Sequence, residues 1–339
     1  MNTIRSDLNQ SFILFWDLIE MLSLNSAAIG LLGALKGKGL NLYRYEYLKG
    51  LDYQGIVNFM RDNFILVEYR DKLEEEVESL EYFIRLSYLR NCSKFLRFLK
   101  GAQREFIKTF LREYDVYNLK VIMRTIILRG LYPQRLYLFP FSLFYPQVPE
   151  FTTLEEVLKF LRREREYKKM VEDGYQEYRR REEYFYLELR MDKMWLSLLR
   201  DNSRRLDKRI FVKMEKWLAM IYIFWAVRLY HIQKRDKEDI LAVIDLDNPY
   251  LDTALLESVL SAPDLETGIK IFTSSQGFQE LITDDWESSL SDLFFQREIE
   301  GKIEAGRLSF LPVFKFVFQQ RYYVENVIYL LNQKGTENV

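Results

Sequence analysis

Apolar residues recur at every third or fourth position through most of the chain. Phe106, Ile107, Phe110 and Leu111 are followed by Leu119, Ile122, Met123, Ile126 and Ile127, with Lys, Arg and Glu between them. That is the 3.6-residue period of an amphipathic helix. Glu74 to Arg85 and Leu154 to Glu166 carry the same period, and Thr152 and Thr153 ahead of Glu155 and Glu156 form a helix start of the capping-box type. Strict apolar/polar alternation over a strand length is scarce, and no Gly-Asn dipeptide joins alternating runs, so the expected class is all-α. Prolines stand at 133, 140, 146, 149, 249, 263 and 312, which leaves Met1 to Tyr132 and Glu150 to Asn248 without a helix breaker.

The Pro-rich segment Tyr132 to Glu150 and the acidic segment Asp236 to Pro263 read as seams between three parts of similar length. Sliding the Phe106 to Arg124 pattern along the chain tests for a repeat. Phe106, Phe110, Leu119, Ile122 and Met123 fall on Ile210, Met214, Ile223, Ala226 and Val227, then on Phe314, Phe318, Val327, Leu330 and Leu331, each step being 104 residues. Asn118 falls on Tyr222 and Asn326, and Arg124 on Arg228 and Asn332. A second element, expected as a pair of short helices around an acidic turn, recurs ahead of each pattern: Tyr47 to Asp52 leading to Ile56, Phe151 to Leu154 leading to Val157, and Leu260 to Asp264 leading to Ile269. The expected architecture is three pseudo-symmetric helical units, 1–131 with an N-terminal helix, 132–235 and 236–339. Closing three like units into a ring would leave a central opening.

Composition narrows the chemistry. The 339 residues carry 49 basic and 50 acidic side chains, a net charge of -1, and a single cysteine and a single histidine. A near-neutral chain argues against nucleic acid as the main partner. Cys92 alone forms no intrachain disulfide, and the Cys/His ligands of an ordinary zinc site are missing. His231, after a long apolar run, reads as a helix-surface or interface histidine rather than a catalytic base. Met1 to Asp17 carries acids and no small-residue cleavage pattern, so a secretory signal is not expected. The longest apolar run, Trp217 to Val227, is stopped by Arg228, short of the ~20 residues that a membrane span needs.

Gly33-Ala34-Leu35-Lys36-Gly37-Lys38-Gly39 looks like a phosphate loop but lacks the four-residue spacing and the Ser/Thr after the lysine, and reads as a flexible turn. Asp245-Leu246-Asp247-Asn248-Pro249 alternates its carboxylates, but Pro249 and Tyr250 stand where a calcium loop wants a ligand and a glycine, so helix capping is the expected role. No catalytic residue, cofactor or metal site is expected. The basic runs Arg162-Arg163-Glu164-Arg165 and Tyr178 to Tyr184 mix with acids at helical spacing, either as a solvated face or as an electrostatic docking surface, with Arg179, Arg180 and Arg181 as candidate partner contacts.

Arg112-Glu113-Tyr114-Asp115-Val116-Tyr117-Asn118-Leu119-Lys120-Val121-Ile122-Met123-Arg124, with Gly130 following, closely resembles a hallmark stretch of the C subunit of V/A-type rotary ATPases, whose eukaryotic relative is subunit d. Asp115, Asn118, Leu119 and Arg124 fit the Asp-x-x-Asn-Leu/Ile-x-x-x-Leu-Arg helix of that family. Ala34-Leu35-Lys36 with Leu40, Tyr47-Leu48 and Asp52 is similar to its N-terminal stretch, and Val324-Glu325-Asn326-Val327 to its last helix. The chain departs at Ala28 to Gly33, where the family has a Tyr/Arg-rich helix, and in the middle unit, where Ala219 and Tyr222 replace Asp and Asn. The family-motif positions are therefore Asp115, Asn118, Arg124, Arg228 and Asn326. The resemblance implies a non-catalytic central-stalk part of the rotor: a funnel-like closed array that meets central-shaft subunits of the D/F type and a membrane rotor ring of the c/K type. It implies a cytoplasmic protein, peripheral to the membrane through the complex. The competing reading is a free-standing helical adaptor that binds nucleic acid or a signalling partner.

Overall fold

The computed structural model describes residues 26–36, 39–62, 69, 77–129, 135–275 and 310–336. Among these there is no strand, and the all-α expectation holds. The helices are α1 (26–36), α2 (Leu42–Lys49), α3 (Tyr53–Asp62), α4 (Val77–Ser93), α5 (Gly101–Leu111), α6 (Glu113–Leu128) and α7 (Leu154–Phe160). They continue as α8 (Arg165–Arg181), α9 (Tyr184–Ser203), α10 (Lys208–Val227), α11 (Lys237–Val243), α12 (Thr253–Leu260), α13 (Leu265–Ser275) and α14 (Leu311–Thr336). Glu74, Gly37, Lys38 and Gly130 lie outside the described residues. Gly33 to Lys36 belongs to α1, so the anticipated flexible turn is helical over its first half.

By packing, the chain divides into two compact units, with the boundary inside α5. The first comprises residues up to Lys108, Phe139–Phe141 and Lys302–Val339. Within it α14 packs against α4, α2 and α3. Phe314, Val317, Val327 and Leu331 supply the apolar stripe of α14, and Leu48, Ile56, Met60, Ile84 and Phe95 lie buried in the same unit. Burying that stripe is what stabilises so long a helix, at about 25 cal/mol per Å² of apolar surface. Polar ties fix the helix further. The Gln320 amide bonds both backbone groups of Leu40, at 3.2 and 2.7 Å, and Arg85 pairs with Glu325 at 3.0 Å.

The second unit comprises Thr109–Leu138 and Ser142–Gly301. Its centre is the hairpin of α8 and α9, turned at Glu182, whose φ of 60° is left-handed. Gly174 of α8 lets these helices approach closely, because a Cβ there would lie 3.0 Å from Met191 Cγ and 3.2 Å from the Leu187 carbonyl. The apolar face of α10 packs on α9, α12 and α13. The longest apolar run lies inside α10, and no helix among the described residues is long and apolar enough to cross a membrane.

Side-chain caps fix several helix starts, though α6, α8, α9 and α11 begin without one. Thr153 and Glu156 form the capping box read from the sequence, Asp52 accepts from Gly55 N at 2.8 Å, and Asp264 accepts from Thr267 N at 2.7 Å. These three caps head α3, α7 and α13, the recurring short elements. The anticipated pair of short helices is present in the first and third parts, as α2 with α3 and α12 with α13. The middle part has α7 alone, because residues 135–153 ahead of it are not helical.

Two expected helices are interrupted. The pattern from Phe106 to Arg124 breaks at Arg112, and Leu154 to Glu166 breaks at Glu164, where ψ is 72°. Both residues belong to one ion pair, described below. All fifteen apolar positions of the 104-residue pattern are buried.

Candidate functional site

The motif helix α6 opens at the break that Arg112 makes, and the side chains of its first turns point into the second unit. Asp115 and Asn118 are three residues apart, hence on one face of α6, and neither is exposed at all. Both grip the non-helical segment that follows α6. Asn118 donates to the Tyr137 carbonyl at 2.8 Å and accepts from the Tyr137 N–H at 2.9 Å. Asp115 accepts from the Ser142 hydroxyl and, at 3.0 Å, from the Leu143 N–H. A segment with no helix or sheet of its own must find partners for its backbone groups once it is buried, and these two side chains provide them.

A charge cluster surrounds Asp115. Arg112 Nε lies 3.6 Å from Asp115 Oδ2, and the Arg112 guanidinium reaches Glu164 at 2.9 and 3.4 Å while sitting 5.3 Å from the centre of the Tyr167 ring. Burial pushes the Asp115 carboxyl up to about 6, against the pull of the Ser142 hydroxyl, Arg112 and the Leu143 N–H. Burial likewise pushes the Tyr167 phenol up.

Further along, α6 is bolted to α9. Lys120 meets Asp192 at 2.9 Å, and Arg124 pairs with Glu188 while its guanidinium lies 5.0 Å from the Tyr184 ring centre. The Tyr184 hydroxyl donates to the Lys120 carbonyl. Lys120 and Arg124 are one turn apart, as are Glu188 and Asp192, and the cross-pairing makes the two helices antiparallel.

The other predicted positions are dispersed. Arg228 is exposed at the start of the π-helical turn Arg228–Ile232, and Asn326 is buried on α14 in the first unit. Arg179, Arg180 and Arg181 end α8 and are exposed. Arg180 pairs with Glu177 at 2.6 Å. Arg181 pairs with Asp239 of α11 at 2.8 Å and lies over the Tyr186 ring, while Arg179 makes no ion pair among the described residues.

Five residues, His231, Arg200, Glu215, Asp245 and Asn248, have surroundings or partners that the sequence did not reveal. Of the two expected placements for His231, helix surface or interface, the second fits: it is buried, its Nε2 at 3.0 Å from the carbonyl of Val259 in α12. Asp245 is not a helix cap: with Glu215 it holds Arg200, whose guanidinium makes a two-bond pair to Glu215 at 2.6 and 2.8 Å. Glu215 itself is fully buried. Asn248 of the same loop donates to the Glu215 carbonyl at 2.9 Å. Regular capping spacing concealed these long-range bonds, and a carboxylate at a buried position of the apolar α10 pattern was the one available signal.

No group of three or more metal-ligating side chains occurs among the described residues. Cys92 is buried with its thiol pushed up by burial, which suppresses the thiolate needed for nucleophilic chemistry. The Asp115 carboxylate anchors the main chain at Leu143.

Among the described residues, the motif side chains Asp115 and Asn118 bond to backbone of the same unit, and Lys120 and Arg124 to side chains of α9. Residues 28–335 match the family described as the ATP synthase (C/AC39) subunit, and the chain belongs to that family, the C/d subunit of V/A-type ATPases. A comparison with curated proteins finds no match.

Proposed function

We propose that this chain is the non-catalytic central-stalk subunit of a V/A-type ATPase, joining the central shaft to the membrane rotor ring. The observation that carries the reading is the use of Asp115 and Asn118. The most distinctive polar residues of the family motif bond to Tyr137, Ser142 and Leu143 inside the fold, as a part that transmits torque by stiffness requires. The ladder between α6 and α9 supports the same role. No observation favours the adaptor reading.

We further propose the three tandem units 1–131, 132–235 and 236–339, arranged as a closed funnel-like array. Burial of all fifteen equivalent apolar positions and the three matching caps support it. The proposed partners are D/F-type shaft subunits and a c/K-type ring, and the proposed location is cytoplasmic, peripheral to the membrane through the complex. Arg179, which faces solvent, is the strongest remaining contact candidate of its run.

The test is to assemble the ATPase with and without this chain and to measure ATP hydrolysis and ion transport side by side. Hydrolysis should persist without the chain while transport stops. Transport that stays coupled in its absence contradicts the proposal.

A further inference from the structure

Among the described residues, Arg162, Arg163 and Arg165 form a dense group of cations without an ion-pair partner. Arg162 and Arg163 lie in the 3-10 turn Leu161–Arg163, and Arg165 opens α8. All three are exposed, and none makes an ion pair among the described residues. The carboxylate inside the run, Glu164, turns away to Arg112, and Glu166 beside it makes no ion pair among the described residues.

This arrangement opposes local stability. Three like charges fall within four residues, and one of them, Arg165, stands in the first turn of α8, where the helix dipole is positive and disfavours cations. The far end of α8, roughly 24 Å away at 1.5 Å per residue, is handled differently: Arg180 and Arg181 each have a carboxylate partner within the fold. The sequence alone made the two basic runs of α8 look alike. The structure separates them into one that is neutralised internally, apart from Arg179, and one that is not.

We propose that Arg162, Arg163 and Arg165 form a docking surface for a carboxylate-bearing face of a neighbouring protein subunit. Planar guanidinium groups pair with carboxylates through two parallel bonds, and an acidic partner would relieve the mutual repulsion of the three cations. The chain's net charge of -1 sets the partner as protein rather than nucleic acid, since phosphate binding draws on a basic whole. The proposal rests on the reading of this chain as a subunit of a multi-subunit ATPase.

The experiment rebuilds the ATPase from complex stripped of this chain, adding wild type, the triple variant R162E/R163E/R165E, the neutral variant R162Q/R163Q/R165Q, or the control R204E/R205E at an exposed pair outside the candidate contacts. Apparent affinity is read at low and high salt, and thermal melting of each free protein checks the fold. The expected result is a loss of about tenfold or more for the Glu triple at low salt and a smaller loss for the Gln triple, both shrinking as salt screens the contact. The control should fall within about twofold of wild type. Triple variants that rebuild the complex like wild type overturn the proposal. A wild-type chain that fails to rebuild any complex overturns the subunit reading instead. Binding of the free wild-type chain to phosphatidylserine-rich vesicles, lost in the Glu triple while rebuilding is unaffected, makes the occupant a membrane and also overturns it.

Discussion

Asn118 holds Tyr137 by both of its backbone groups, through bonds of 2.8 and 2.9 Å that lie wholly inside the protein. A single side-chain amide thus plays the part of a strand neighbour for a residue that has none.

Removing that amide takes away the Asn118 partner of a buried N–H and a buried carbonyl, and a buried polar group left unsatisfied costs about 1–3 kcal/mol. Asn118→Ala should therefore destabilise the protein by roughly 2–4 kcal/mol. Urea unfolding would show the loss. Hydrogen exchange should locate it, with the Tyr137 amide losing protection before those of α9.

Asp115 makes the stability of the protein depend on pH in a direction opposite to the usual carboxylate. Burial raises its folded pKa to about 6, from 3.8. The folded state therefore holds the proton more tightly than the unfolded chain. Its contribution is fully present below about pH 4 and is lost as pH rises towards 6, with a magnitude on the order of 2–3 kcal/mol. Unfolding midpoints measured from pH 4 to 7 for wild type and Asp115→Asn should differ in slope across that window and run parallel above it.

Glu215 and Arg200 illustrate a different cost. Their pair is deeply buried, and deleting one member strands the other charge. Glu215→Ala should destabilise by about 3–5 kcal/mol. Replacing Arg200 and Glu215 together by Met and Leu should recover most of this, and a double-mutant cycle on melting temperatures measures the difference.

The helices were legible because their period is local. Burial of Phe106, Phe110, Leu119 and their counterparts in the later patterns follows from 3.6-residue spacing, and the Thr153 cap from a threonine three residues ahead of Glu156. The break at Arg112 was not legible. It accompanies a bond to Glu164, 52 residues away, and no periodicity reports such a partner. The motif positions Asp115 and Asn118 could be picked out, but not their grip on Leu143 and Tyr137, which lie in a segment without pattern. Asp245 misled for the same reason, since its distance from Arg200 exists only in the folded chain.

Rotation is the central claim, and a label on this chain tests it most directly. Arg205 is exposed and makes no ion pair among the described residues, and Cys92 is buried, so Arg205→Cys offers an accessible thiol for a rotation probe away from the candidate contacts. With the catalytic head of the assembled ATPase fixed to a surface, the probe should turn stepwise when ATP is added and stop when it is exhausted. A probe that stays still while the complex hydrolyses ATP and moves ions would contradict the account.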